Sequence, residues 1–347
     1  MDYLEPPFYI CIDNWRKLPE LHTTGTRDKS VFIGPSKKTY YFKTSIKQDK
    51  KDYPFEFWSE IIASRLGFLL RLPVLNYNIA SYRDKIGCIS ENMINRNEEE
   101  LIEGVILILQ FEPNFREICK TSHYLWKIER ALKSVGLGEF KRIAIEMVLF
   151  DCIIGNTDRH SENWALIRNK VGQSFYSKLK KQNIFRRYFS YYRIHKDFDI
   201  PYLKIFKLLA IIRHRFAPFY DNGSSLGREL SEEKIIQLLN DDNSFDKFFC
   251  NGKSDIIVDE EKKSFLETID FLLFHYPSEC SHFIRKHLSL YNREEWESIV
   301  ERIDFRYPDK NFETSRISNN RKRFIVKLVD ERINYIQSRI PDNGKEI

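Results

Sequence analysis

The sequence predicts an α+β chain in two lobes, a small β-rich N-terminal lobe followed by a larger, mainly helical one. Three observations predict it. Strand-like runs crowd residues 30–93 around one amphipathic helix. Helical periodicity takes over from about residue 98. The chain is also long for one small domain: its 347 residues, 42% hydrophobic and 14% aromatic, can bury a large core. The boundary is expected near residues 94–100, where Asn95-Arg96-Asn97 precedes three glutamates, giving lobes 1–94 and 95–347.

Residues 31–33 and 40–44 are β-rich and flank Gly34-Pro35-Ser36, which predicts a hairpin. Phe57, Trp58, Ile61, Ile62, Leu66 and Leu69 recur at helical spacing, and this helix ends at or shortly after Gly67. Residues 75–81 and 85–89 read as strands. Phe140, Ile143, Ala144, Met147, Val148 and Ile154 mark a helix that ends at Gly155, and a short strand follows at 164–167. Further helices are expected at 231–240, 264–275, 278–288, 293–303 and 318–340.

Composition narrows the function classes. The six cysteines are scattered without a C-x-x-C pair, so neither a structural zinc site nor a disulfide framework is expected. The longest apolar runs are about five residues, far short of a membrane span. The acidic N-terminus lacks the basic and apolar regions of a secretory signal. A reducing cytoplasm is the expected compartment, with secretion or translocation into a host as the open alternative.

The net charge of +6 is unevenly spread. Residues 168–215 hold 13 Lys and Arg against Asp197 and Asp199, a local charge of +11, and leave −5 for the rest of the chain. Ten aromatic residues are interleaved with these cations. The reading favoured is an inserted excursion whose aromatics pack while its cations face water. Binding of an acidic partner, including RNA or an RNA-associated substrate, is the alternative.

Chemistry concentrates between Gly155 and Asn163. Asp158 and Asn163 stand five residues apart on a polar loop, the pair that phosphoryl transfer uses to orient the attacking hydroxyl and hold Mg²⁺. A polar turn bonding its own backbone is the competing explanation. Downstream, an apolar run ends at Asp221-Asn222-Gly223, a place for a second metal-binding carboxylate or for a plain Asn-Gly turn. Upstream, Lys43 lies in the strand 40–44 and Glu60 on the following helix. The pair can orient nucleotide phosphates, or each can be a solvated surface charge. The Thr/Ser-rich stretch 23–30 offers Thr24, Gly25, Thr26 and Lys29 for a phosphate loop, although it is neither G-x-G-x-x-G nor Walker A. Each signal is weak alone, but their order is that of a kinase: phosphate loop, strand Lys, helix Glu, catalytic Asp, metal Asn, metal Asp.

Two segments carry a family resemblance. Gly155-Asn156-x-Asp158-Arg159-His160-x-x-Asn163-Trp164 and Ala217-Pro218-x-Tyr220-Asp221-x-Gly223-x-x-Leu226 resemble the HipA-like serine/threonine kinases. These are bacterial enzymes with a bilobal protein-kinase-like fold. Phe57-Trp58-Ser59-Glu60-Ile61-Ile62-Ala63-Ser64-Arg65-Leu66-Gly67 is similar to a helix of that family, and Asp330-Glu331-Arg332 to the last helix of its compact members. The resemblance implies ATP and Mg²⁺ as cofactors and a protein substrate phosphorylated on Ser or Thr. It implies Asp158 as catalytic base, Asn163 and Asp221 as metal ligands, and Lys43, held by Glu60, on the ATP phosphates. His160 and Tyr220 match nucleotide-lining positions, and Glu91 and Met93 match the adenine hinge. Autophosphorylation is expected within Thr23, Thr24, Thr26 and Ser30, or at Ser224 and Ser225. An antitoxin partner is implied by part of the family. Two alternatives remain at this point, a catalytically inactive kinase fold used as a binding module and a kinase of small molecules.

Overall fold

The computed structural model describes residues 5–19, 29–48, 51–170, 214–308 and 312–339. The architecture is α+β, with a β-sheet N-terminal part and a helical C-terminal region. The chain divides into two compact units. The first combines Met1–Asn92, Glu146–Arg159 and Phe219–Ile347; the second combines Met93–Ile145 and His160–Pro218.

The first unit is built on a six-stranded sheet. Its strands are β1 (Tyr9–Cys11), β2 (Arg16–Lys17), β3 (Lys29–Ile33), β4 (Thr39–Thr44), β7 (Asn78–Tyr82) and β8 (Lys85–Glu91), in the order β1-β7-β8-β4-β3-β2; the two-residue strands β5 (Lys47–Gln48) and β6 (Lys51–Asp52) form a separate pair. β3 and β4 make the expected hairpin, with a short 3₁₀ turn at Pro35–Lys37 between them. The strand expected at 75–81 starts only at Asn78, because the backbone at Val74 and Leu75 bonds to Phe219 instead. Ile12, Phe32, Phe42, Ala80 and Ile89 form the core on one face of this sheet. Helix α1 (Glu56–Leu69) is buried along almost its whole length, including Glu60 and Arg65. It is fixed by bonds from the Trp58 indole to the Ser315 carbonyl (2.8 Å) and from the Ser59 hydroxyl to the Ser225 carbonyl (2.9 Å).

The second unit contains β9 (Glu99–Glu103), helices α2 (Gly104–Leu109), α3 (Phe115–Ser122) and α4 (Leu125–Ser134), and strands β10 (Ala165–Asn169) and β11 (His214–Phe216). The three strands form an antiparallel sheet with β10 in the centre. Strand β9 interrupts the helical region expected from residue 98. Its sequence, Glu-Glu-Leu-Ile-Glu, has little strand preference, and pairing with β10 supplies what propensity does not. Gly104 follows it directly against the Trp164 ring, where any side chain would collide with the indole.

Helix α5 (Lys141–Ile154) runs from the second unit into the first. The first unit continues with α6 (Glu232–Asn240), α7 (Asp242–Asn251), α8 (Phe265–His275), α9 (Pro277–Lys286), α10 (Arg293–Glu301) and α11 (Asn319–Ser338). Five of these match expected helices; α7 is additional. Asp241 is at once the C-cap of the preceding helix and the N-cap of α7, accepting the Asn243 N–H, so the second helix starts without a connecting loop. Among the described residues no helix is long and apolar enough to cross a membrane.

Candidate active site

Strand β4 and helix α1 present the expected lysine and glutamate to each other. The Lys43 ammonium donates to Glu60 Oε1 at 2.9 Å and to Asp221 Oδ1 at 3.0 Å. Lys43 is 8% exposed and Glu60 2%. Burial works against the Lys43 charge, but the Asp221 and Glu60 carboxylates outweigh it and hold the ammonium well above the usual lysine range. Glu60 also accepts the Asn222 backbone N–H on Oε2 at 2.8 Å, so one carboxylate holds both the strand lysine and the chain beside Asp221. Asp221 has a left-handed backbone, with φ of 59°, which Asp tolerates better than most residues.

Two neighbours of this triad were not legible in the sequence as its partners. Lys29, on β3 directly across from Lys43, brings its ammonium to 3.6 Å from Asp221 Oδ2. Tyr77 places its ring 5.5 Å from the Lys43 ammonium and its hydroxyl 3.5 Å from the Asp221 N–H. Burial, with Glu60 close by, pushes the Tyr77 phenol up, so it stays neutral.

The catalytic-loop candidate begins where α5 stops. Asn156 donates to the Asp151 carboxylate at 3.0 Å and accepts the Asp158 N–H at 3.2 Å, a local turn that sets the Asp158 backbone. The Asp158 carboxylate accepts the Ser224 hydroxyl at 3.3 Å, and the Thr157 N–H donates to the Ser224 carbonyl at 3.0 Å. Arg159, 1% exposed, grips Asp151 through Nε (2.9 Å) and Nη2 (2.8 Å). It also donates to the Tyr220 carbonyl at 2.5 Å and the Asn222 side-chain oxygen at 2.6 Å. Burial opposes the Arg159 charge, and Asp151 more than restores it, raising the guanidinium above its ordinary value. The loop and the segment around Asp221 are thus tied together by one arginine. Glu91 ends β8 with an exposed carboxylate 2.8 Å from Lys38.

The remaining candidates lie in the second unit. The Asn163 N–H donates to the His160 carbonyl at 2.9 Å, and the Glu162 N–H to His160 Nδ1 at 3.3 Å, which closes a turn ahead of β10. The Trp164 indole donates to His123 at 3.3 Å. The Met93 carbonyl accepts from Arg215 at 2.9 Å, and Arg215 pairs with Glu99 at 3.2 Å. Arg168 pairs with Glu100. Both ends of the basic segment are therefore neutralised by glutamates of β9, which a count of its own charge misses. Thr24, Gly25 and Thr26, and residues 171–213 of the basic segment, lie outside the described residues.

No protein-family model matches the chain, and no curated protein matches it. Solved structures do. The Helicobacter pylori proinflammatory kinase CtkA is similar with a TM-score of 0.68 and 17% identity, over 95% of this chain and 97% of that one. HipA of Shewanella oneidensis MR-1, solved with HipB and operator DNA, gives a TM-score of 0.43 and 12% identity over 94% of this chain and 67% of that one. Taken with the sheet and the helical region, the CtkA likeness shows that this chain has the α+β fold of that kinase.

Proposed function

We propose that this protein is an ATP- and Mg²⁺-dependent kinase that transfers the γ-phosphate of ATP to a Ser or Thr hydroxyl of a protein. The observation that carries this reading is the buried Lys43, bonded at once to Glu60 and Asp221. A buried ammonium on β4 shared by two carboxylates, one from α1 and one from the segment at Asp221, is a costly arrangement, and polyphosphate binding gives it a purpose. Asn163 and Asp221 are the proposed Mg²⁺ ligands. One carboxylate and one amide oxygen suit an ion that keeps waters and takes its other ligands from phosphates. Asp221 already draws two lysines, so its carboxylate is one that cations reach. Bound Mg²⁺ would supply charge neutralisation on the phosphates.

In this reading Asp158 orients the acceptor hydroxyl and takes its proton as the oxygen bonds to the γ-phosphorus and the bond to ADP breaks. Lys43 and Lys29 bind phosphate oxygens, and Arg159 fixes Asp158 relative to Asp221. His160, Tyr220, Glu91 and Met93 are the proposed nucleotide contacts. The N-lobe of this reading is 1–94 and the C-lobe 95–347. Self-phosphorylation belongs to the same proposal. Ser224 and Ser225 are 2% and 1% exposed and their hydroxyls are bonded, which favours residues 23–30 as acceptors.

The test is γ-phosphate transfer into a total cell extract by wild type and Asp158→Ala, with labelled proteins and self-phosphorylated peptides identified by mass spectrometry. Transfer lost in a folded variant supports the reading, and transfer at the wild-type rate sinks it. The double engagement of Asp221 by lysines also favours a second reading, an inactive kinase fold that binds nucleotide. ATP binding without turnover by the wild type would select it.

A further inference from the structure

The first unit contains a cavity of about 390 Å³ behind the catalytic-loop candidate. The end of α5 at Gly155 and Thr157 form one wall, with Lys234 of α6, Lys247 and Phe248 of α7, Phe265 of α8 and Arg332 of α11 around it. Arg332 is the unusual member. Four arginines of this unit are buried: Arg159 is paired with Asp151 and Arg321 with Glu232, Arg65 donates to the side-chain oxygens of Asn76 and Asn78, and among the described residues no carboxylate pairs with Arg332. Its Nη1 reaches only the Ile153 carbonyl, at 3.3 Å, and its Nε is buried without a hydrogen-bond partner. Burial lowers its guanidinium to about 10, still charged at neutral pH. Its cation is supported instead by the Phe265 ring, 4.9 Å away, and the Phe249 ring at 5.9 Å.

A buried guanidinium that feels the exposed Glu229 carboxylate without pairing with it, and whose Nε has no hydrogen-bond partner, is a destabilised group, and a ligand that brings a charge into contact relieves it. The rest of the cavity selects the ligand. Lys234 and Lys247 are exposed at its rim and outweigh the single carboxylate there, the exposed Glu229. Phe248, Phe265 and Leu328 give an apolar wall. Gly155 has φ of +68°, and a Cβ there would collide with Arg332 Nη1, so glycine both turns the chain and leaves the guanidinium its place. The volume suits a ligand of metabolite size.

We infer that this cavity binds a small organic anion, a carboxylate or phosphate on an aromatic or apolar body, with Arg332 as its counter-ion and Lys234 and Lys247 at its entrance. The site is separate from the nucleotide site proposed above and does not rest on that reading. It is nevertheless wired to the same loops. The Leu226 N–H donates to the Ile154 carbonyl at 2.9 Å and the Thr157 N–H to the Ser224 carbonyl at 3.0 Å, so an occupant touches the residues that hold Asp158.

The experiment titrates the full-length protein with phenyl phosphate, benzoate and neutral benzamide, following backbone amide resonances by NMR. Phenyl phosphate and benzoate are expected to shift the Gly155, Gly227 and Gly252 amides saturably, and benzamide is not. Lys234→Glu with Lys247→Glu, both surface changes that leave the fold intact, is expected to weaken anion binding at least tenfold. Arg332→Met should abolish it in any preparation whose amide spectrum remains folded. The inference fails if neither anion shifts these amides, if benzamide binds as well as benzoate, or if the charge-reversed protein binds with unchanged affinity.

Discussion

Arg159 and Asp151 meet through two parallel hydrogen bonds of 2.9 and 2.8 Å, both side chains almost wholly removed from solvent. The same guanidinium reaches the residues on either side of Asp221, so this pair is the joint on which two candidate catalytic segments turn. Arg159→Ala leaves the Asp151 carboxylate buried without its counter-charge, with the Asn156 amide still bonded to it. It is expected to cost about 3–5 kcal/mol of stability, measured by urea denaturation.

Lys43→Met should leave a folded protein whose phosphoryl transfer is about 10²–10³-fold slower, in line with loss of one preorganised charge at a reaction centre. A γ-phosphate transfer assay measures it. The pH dependence of its stability effect follows from the raised ammonium. That contribution is complete below the ordinary lysine value of 10.5 and is lost only as pH rises through the higher folded value. The stability difference between wild type and Lys43→Met should therefore stay flat from pH 7 to 10.

Ser224→Ala removes the hydroxyl that bonds Asp158 at 3.3 Å. The expected stability loss is about 1 kcal/mol. Because Ser224 bonds Asp158 directly, kcat should fall several-fold while KM for ATP holds. Steady-state kinetics with varied ATP separates the two.

Ser264 caps α8 in a reciprocal capping box with Glu267. Ser264→Ala should cost about 1 kcal/mol in thermal or urea unfolding. The bonds from Ser264 hold the Glu267 carboxyl below its ordinary value of 4.5, so the Glu267 share is present above that pH and fades as pH falls below it. The two proteins should converge in stability toward acid pH.

Lys43, Glu60 and Asp221 were legible because each sits in an element that its own neighbours specify: a β-rich run, an apolar helix and a turn. The chain order announced the Lys43–Glu60 bond; it did not announce the bond from Lys43 to Asp221, a residue that read only as a metal ligand. The partners of Asp158 and Arg159 were not legible. Ser224 lies 66 residues from Asp158, and Asp151 faces Arg159 only because α5 ends and turns at Gly155. Lys29 read as part of a loop, whereas ladder pairing carries it to Asp221. Strand β9 escaped because its glutamates look solvated until Arg168 and Arg215 answer them from the neighbouring strands. The unbonded Nε of buried Arg332 is invisible to any count of residues, since it depends on which acceptors the fold brings within reach.

In the ladder between β10 and β11, Arg168 stands opposite His214. The 45 intervening residues thus leave and re-enter the sheet at adjoining rungs. Whatever the chain carries between those rungs, the register of the sheet does not feel its length. Antiparallel ends set opposite each other in this way need no long connection, since a two-residue Asn-Gly link is enough to close such a ladder.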